Sequence, residues 1–212
     1  LRLAARTSGS GSAENEVAAE ATVKQLAAQP SAAARRPIVV WFYRPEQVEE
    51  NDKLEANLFQ NETVGLAFKR FHTYRVNVDT IDRDELAKEY SKTPAFRFFD
   101  PAGESVGTLA GRRVASLSGF TRYVEKVWSK SFELNLKSYV KEMTKILDRL
   151  DKVGQKKTAI ERDRARLAKK PNARKQRAVD AEEAKIVKEE ARIAEDEKKV
   201  VEKLQLREQY QA

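Results

Sequence analysis

Three carboxylates, Glu49, Glu50 and Asp52, lie close together after an apolar run and have the side-chain type that acid–base chemistry uses. Paired carboxylates can act as general acid and base, and their oxygens also suit Mg²⁺. Consecutive acids occur equally at helix starts, where they interact favourably with the helix macrodipole and stay in solvent. We interpret the three carboxylates in this second way and predict neither a catalytic role nor a metal site for them.

The chain contains no cysteine and one histidine, His72. This composition excludes disulfides, thiolate metal sites, cysteine nucleophiles and thiol redox chemistry carried by the chain itself. His72 lies where a predicted helix meets a predicted strand, so we interpret it as a polar junction residue. Neither of the common glycine-rich motifs that cradle phosphates occurs. We therefore predict that the chain is not an enzyme and binds no cofactor.

Charge divides the 212 residues into two unlike parts. Residues 1–120 contain 16 basic and 16 acidic side chains, whereas residues 121–212 contain 25 basic and 17 acidic ones, which accounts for the whole formal net charge of +8. Charged residues make up 35% of the chain and hydrophobic residues 41%, proportions that favour a globular domain with a polar extension. No apolar run approaches the length of about 18 residues that a transmembrane helix needs.

The extension concentrates its positive charge in residues 152–178, which hold 11 basic residues and two acids. Ten of these cations form what we call the basic tip: Lys156, Lys157, Arg162, Arg164, Arg166, Lys169, Lys170, Arg174, Lys175 and Arg177. The basic tip could bind phosphates of RNA or DNA or an anionic surface, or it could pair with the acidic residues 179–212. Because no aromatic residue lies between Tyr139 and Tyr210 to stack on a base, we favour a protein contact or a solvated face.

Residues 1–35 form the first of three predicted segments. The serine- and glycine-rich end of residues 1–12 predicts a flexible linker, and the alanine- and glutamate-rich residues 13–28 predict one short helix. The chain begins with Leu1 and not with methionine. From this start we expect a processed protein that is secreted or periplasmic, with organellar import as the alternative.

Residues 36–130 show the pattern of a globular α/β domain. The run from Ile38 to Tyr43 is continuously apolar, which is typical of a strand buried on both faces of a sheet. Periodicity predicts strands at 38–43, 73–79, 95–99 and 105–109 and helices at 52–71, 82–90 and from 116 to 128. The order βαβαββα predicts a mixed four-stranded sheet flanked by helices.

Residues 131–212 predict a long antiparallel α-helical hairpin of the coiled-coil type. Pro171 and its neighbours break the helical pattern, so the turn is expected near residues 170–173. Apolar residues at three- and four-residue spacing define the predicted seam: Leu136, Met143, Ile146, Leu150, Val153, Ile160, Ile186, Ile193 and Val200. Lys157 and Arg164 fall at seam positions, which weakens the seam towards the turn. We therefore expect a protein partner or a second copy of the chain to cover it.

Two stretches of the globular segment resemble the thioredoxin superfamily, in particular its bacterial thioredoxin-like members. The first is the strand from Pro37 to Tyr43, and the second is the block from Lys92 to Glu104, in which Thr93-Pro94 precedes a strand and a D-x-x-G turn. The resemblance covers about residues 36–130. It implies a thioredoxin-like sandwich and a cis peptide bond before Pro94, beside a groove that accepts extended peptides in the family.

The chemistry of that family requires two cysteines, spaced C-x-x-C, at the start of the helix after the first strand. We call the equivalent segment of this chain the degenerate active-site loop, and its residues are Pro45, Gln47, Val48, Glu50 and Asn51. The resemblance therefore implies the fold without the redox activity. We expect a redox-inactive scaffold or accessory subunit that contacts protein partners in a larger assembly. The alternative is electrostatic binding of nucleic acid or an anionic surface through the basic tip.

Overall fold

A computed structural model of the chain describes residues 35–80, 92–114 and 116–211. The predicted linker and the helices predicted at 13–28 and 82–90 lie outside the described residues. The chain forms two compact units, one from Leu1–Ser131 with Arg207–Ala212 and the other from Phe132–Leu206. We call the first the globular unit and the second the hairpin unit.

The globular unit contains a four-stranded mixed sheet of order β2-β1-β3-β4. Its strands are β1 (Ile38–Tyr43), β2 (His72–Asn77), β3 (Ala95–Phe99) and β4 (Ser105–Ala110). β1 runs parallel to β2, with Ile38 opposite His72, and antiparallel to β3, which in turn pairs antiparallel with β4. Because β1 lies inside the sheet, each residue from Ile38 to Phe42 is at most 6% exposed, as its continuous apolar run indicated.

The described helices of the globular unit differ from the prediction in two places: the first helix begins at Val48 and not at residue 52, and the helical run is broken at Asn61. They are α1 (Val48–Leu54) continuing as a π-helical turn (Glu55–Phe59), α2 (Glu62–Phe68) and α3 (Leu117–Ser131). Short 3-10 turns follow at Val78–Thr80, Gly111–Arg113 and Glu208–Tyr210. The single helix predicted at 52–71 is wrong, because Asn61 is extended and its side-chain oxygen accepts a hydrogen bond from the Val64 N–H at 3.2 Å. This capping bond starts a new helix.

An aromatic cluster joins one face of the sheet to α2 and α3. The ring centroid of Phe120 on α3 lies 4.9 Å from that of Phe96 and 5.6 Å from that of Phe98, both on β3. It also lies 5.9 Å from the ring centroid of Phe68 on α2. Phe120 and Trp128 are fully buried on the same helix. Their burial and the ring contacts hold α3 against the sheet.

The hairpin unit consists of α4 (Leu136–Lys169) and α5 (Ala173–Glu202), joined by a short turn. Asparagine side chains cap both helices, since Asn135 accepts from the Ser138 N–H at 2.8 Å and Asn172 accepts from the Lys175 N–H at 3.0 Å. The predicted fold class, an α/β sandwich followed by a long helical hairpin, is confirmed. None of the described helices combines the length and the apolarity of a transmembrane span.

Leu150 does not lie in the buried seam as predicted, because 37% of it is exposed. The other predicted seam residues are buried, and Tyr139, Leu167 and Val179 are buried with them. Leu150 precedes Lys157 and Arg164 by one and two heptads. It therefore shares the heptad position of these two charged side chains. Met143 is buried at the same position one heptad earlier, but from Leu150 to the turn this position does not form an apolar layer.

The last residues of the chain belong to the globular unit and not to the hairpin, which corrects the hairpin predicted over 131–212. α5 ends at Glu202, and the Arg207 N–H then donates a hydrogen bond to the Ser131 carbonyl oxygen at 3.0 Å. Tyr210 is 6% exposed, and its hydroxyl donates to Oδ2 of buried Asp100 at 3.0 Å. Burial of this aromatic side chain fixes the C-terminal residues on the globular unit.

We expect Tyr210→Phe to destabilise the globular unit by about 1.5–3 kcal/mol, the range for a hydrogen bond to a charged group. Oδ1 of Asp100 keeps its two backbone donors, the N–H groups of Ala102 and Glu104, so only Oδ2 loses its partner. Urea unfolding followed by tryptophan fluorescence measures the difference.

The same substitution should alter the alkaline stability profile. Burial raises the pKa of Tyr210, so its contribution is intact below the ordinary value of about 10 and is lost as the pH rises through the raised value. The unsubstituted chain should therefore lose more stability above pH 10 than Tyr210→Phe. Identical losses in the two proteins would contradict this role of the hydroxyl.

Candidate functional site

The degenerate active-site loop follows β1 and continues into the first turn of α1, at the place that the resemblance implies: Pro45 and Gln47 precede the helix, and Val48, Glu50 and Asn51 lie in it. Gln47 immediately precedes the first residue of α1. The Thr93 hydroxyl donates a hydrogen bond to the side-chain oxygen of Gln47 at 2.8 Å, and the Thr93–Pro94 peptide bond is cis. The structure therefore brings together the loop that lacks cysteines and the proline segment that was singled out in the sequence.

The buried side chain of Asn51 forms a hydrogen bond to the backbone of this loop. Asn51 is 4% exposed, and its side-chain nitrogen donates to the carbonyl oxygen of Arg44 at 3.0 Å. Val48 is 59% exposed, and Pro45 and Glu50 are also exposed. Of the five predicted loop residues, only Gln47 and Asn51 thus turn towards other parts of the globular unit.

The carboxylates of Glu49 and Glu50 lie in the first turn of α1. Glu49 lies 3.4 Å from the Lys53 ammonium group in an exposed pair one helical turn apart. In residues 35–80, 92–114 and 116–211, no group of three or more histidine, aspartate or glutamate side chains could hold a metal ion. Because the chain contains no thiol, thioredoxin-type disulfide exchange is not available to it.

Cysteines installed at Gln47 and Glu50 are expected to close into a disulfide. The two positions are three residues apart at the start of α1, which is the C-x-x-C spacing, and a helix N-terminus stabilises thiolates. Mass spectrometry after exposure to oxidised glutathione should show loss of two hydrogens. Val48→Cys with Glu50→Cys is the control, because residues two apart on a helix do not face each other. Glutathione adducts alone on the Gln47/Glu50 variant would refute this geometry.

Ion pairs occupy alternate layers of the hairpin seam. The Lys157 ammonium nitrogen lies 2.6 Å from a carboxylate oxygen of Glu190, and Arg164 pairs with Glu183. The two cations are seven residues apart on α4, and the two glutamates are seven residues apart on α5. The apolar layers lie between these pairs. Sequence reasoning treated Lys157 and Arg164 as weak points, although the matching repeat of Glu183, Glu190 and Glu197 was a signal for pairing.

Arg149 forms a second connection between the helices that the sequence did not reveal. Its guanidinium lies 2.6 Å from a carboxylate oxygen of Asp196 and 2.9 Å from one of Glu189. The hydrogen bond from Arg149 lowers the pKa of Asp196. The contribution of Asp196 to stability is therefore present above its ordinary pKa of about 4 and is lost as the pH falls through the lowered value.

The basic tip divides into paired and unpaired cations. Four of its side chains lie within 4.0 Å of a carboxylate: Lys156, Lys157, Arg164 and Arg166. The other six are exposed and make no ion pair within the described part of the chain: Arg162, Lys169, Lys170, Arg174, Lys175 and Arg177. The uncompensated positive charge thus concentrates around the turn between α4 and α5.

The globular unit has a thioredoxin-like fold. Its parallel β1–β2 pair, its antiparallel β1–β3–β4 extension and its cis Pro94 beside the loop at the start of α1 are the features that the resemblance implied. The chain thus has the fold of the thioredoxin superfamily in its globular unit and contains no cysteine.

No protein-family model matches the chain, and neither does any curated protein. Among solved structures, a thioredoxin from Thermus thermophilus is 30% identical, with 47% of this chain and 78% of that one covered and a TM-score of 0.38. A disulphide isomerase from Xylella fastidiosa Temecula1 is 21% identical, with 54% of this chain and 98% of that one covered and a TM-score of 0.37. A designed protein is 19% identical, with 50% and 90% covered and a TM-score of 0.34.

Proposed function

We propose that this chain is a redox-inactive, non-enzymatic scaffold or accessory subunit that mediates protein–protein contacts in a larger assembly, with the hairpin unit as its contacting arm. The observation that carries the proposal is the composition of the seam. From Val153 to the turn, α4 buries one apolar residue in seven, and α5 does the same along its length. Helices of 34 and 30 residues held by so few apolar layers are stabilised further when another surface packs on them.

The globular unit supports the same proposal. Its inner strands β1 and β3 are mostly buried, as is Phe120, whereas the loop at the start of α1 has exposed carboxylates in place of thiols. A domain that keeps the core of the thioredoxin-like fold but lacks the catalytic cysteines is suited to a binding role and not to disulfide exchange.

Affinity purification of the tagged full chain from its native source tests the proposal. Ile193→Asp places a charge in the buried seam, where Ile193 is 1% exposed, and should remove the proteins that depend on the hairpin. Leu150→Asp makes the same chemical change at an exposed position of the same unit and should retain them. The proposal fails if both variants recover the same proteins as the unsubstituted chain.

Electrostatic binding of nucleic acid or an anionic surface is the second candidate function, and the six unpaired cations around the turn favour it. Such binding would weaken steeply with salt, because phosphate contacts release counterions. A fluorescent RNA oligonucleotide titrated at about 50 and about 200 mM salt distinguishes the candidates. Salt-sensitive binding that disappears in Lys169→Glu/Arg174→Glu would favour this second function over the first.

A further inference from the structure

One face of the hairpin unit contains a groove between α4 and α5. Its wider part has a cavity volume of about 420 Å³, with Val153 and Ile186 at its floor. A narrower part of about 230 Å³ follows towards the turn, with Ile160 and Val179 at its floor, and both parts are lined by Lys156. The floor of this groove therefore has one apolar side chain from each helix in two consecutive heptads.

Positive charge borders the wider part of the groove. Six cations line it: Arg149, Lys152, Lys156, Lys185, Lys188 and Arg192. Three of them pair with Glu182 or Glu189. The other three, Lys152, Lys188 and Arg192, are exposed and make no ion pair within the residues that the structure describes. The groove thus combines an apolar floor with uncompensated cations on both helices.

The dimensions of the groove match a helix. It follows residues 149–163 of α4 and 178–192 of α5, which is about 22 Å at 1.5 Å per residue. Floor residues that repeat every seven positions are the pattern on which a third helix packs in a coiled coil. No aromatic side chain lines either part, and an apolar floor offers nothing to phosphates. Nucleic acid therefore fits this surface less well than an amphipathic helix does.

We propose that this groove binds an acidic amphipathic helix of a partner protein and forms a three-helix bundle with it over about two heptads. The apolar face of the bound helix packs over the floor, where Val153 and Ile186 are already only 5% and 3% exposed, and contacts the aliphatic stems of the lysines that line the groove. Its glutamate or aspartate side chains pair with Lys152, Lys188 and Arg192. This inference rests on the proposed scaffold function and specifies its contact surface and the chemistry of the partner.

A synthetic helix of about 21 residues, with leucine at the a and d positions and glutamate at most others, serves as the probe. Fluorescence anisotropy with the full chain should show saturable binding of this peptide. The triple variant Lys152→Glu/Lys188→Glu/Arg192→Glu should weaken it at least tenfold. The control Lys145→Glu/Lys169→Glu/Lys175→Glu changes the net charge of the same unit equally, at exposed cations outside the groove, and should weaken it less than threefold. Circular dichroism establishes that both variants keep their helices.

Three results would overturn the inference: no saturable binding at about 100 µM chain, equal loss in the two triple variants, or displacement of the peptide by a ribo-oligonucleotide at a lower concentration than by unlabelled peptide. These results leave the scaffold function standing if Ile193→Asp still loses partners that Leu150→Asp retains. If Ile193→Asp loses none, the scaffold function fails separately.

Discussion

Ile193→Asp unfolds the hairpin unit and leaves the globular unit folded. Ile193 is 1% exposed in an apolar layer between α4 and α5, and an uncompensated charge in such a place costs about 3–5 kcal/mol. A loss of stability of this size should unfold the hairpin unit, because few apolar layers hold its helices together. Helical circular dichroism should therefore fall by the share of α4 and α5. The near-ultraviolet signal should persist, because Trp41 and Trp128 both lie in the globular unit.

Leu150→Asp is the matched control for this prediction. Leu150 is 37% exposed, so aspartate there stays in contact with water and should change the helical signal little. If Ile193→Asp abolishes the near-ultraviolet signal together with the helical signal, the division of the chain after Ser131 is wrong. If the two variants behave alike, the heptad assignment of the seam is wrong.

Phe120→Ala has the largest effect expected in the globular unit, a loss of about 3–5 kcal/mol in the free energy of unfolding. The Phe120 ring is fully buried and contacts Phe96 and Phe98 on the sheet and Phe68 on α2. Its removal leaves a cavity where three elements meet, and urea unfolding monitored by tryptophan fluorescence measures the cost. Leu117→Ala on the same helix is the control, since Leu117 is 36% exposed. A loss below about 1 kcal/mol for Phe120→Ala would contradict the aromatic cluster.

The sheet could be predicted from the sequence because its determinants are local. The continuous apolar run of β1 and the alternation from Thr73 to Val76 each follow from whether one or both faces of a strand are buried. The break at Asn61 was also encoded locally, as an asparagine followed by Glu62 and Thr63. It was missed because the apolar spacing continues across the cap, and the spacing alone predicted one helix.

The exposure of Leu150 and the position of the C-terminal residues on the globular unit could not be predicted, because both depend on contacts between residues distant in sequence. Leu150 looked like a seam residue by type, but the layer it occupies is set by its register against α5. Tyr210 was included in the hairpin predicted over 131–212, yet its hydroxyl donates a hydrogen bond to Asp100, 110 positions earlier. Nothing in the residues around Tyr210 indicates that bond.

The alternation of apolar and charged layers in the hairpin changes how its charge is interpreted. Lys157 and Arg164 looked like defects of the seam, but each pairs with a glutamate of α5. Half-exposed ion pairs of this kind contribute little to stability. They do oppose other registers of the two helices, because a shift would place cations against apolar side chains. Because charged layers alternate with single apolar layers, the apolar floor of the groove is narrow and charged side chains border it.

Zero-length coupling of amines to carboxylates, applied to the native assembly and followed by mass spectrometry, tests the central claim most directly. The claim is that this thiol-free thioredoxin-like chain acts through the groove of its hairpin. Intermolecular links should join Lys152, Lys156, Lys185 or Lys188 to glutamate or aspartate residues spaced three or four apart in a partner. Intermolecular links confined to lysines of the globular unit, such as Lys53, Lys69 and Lys126, would contradict it.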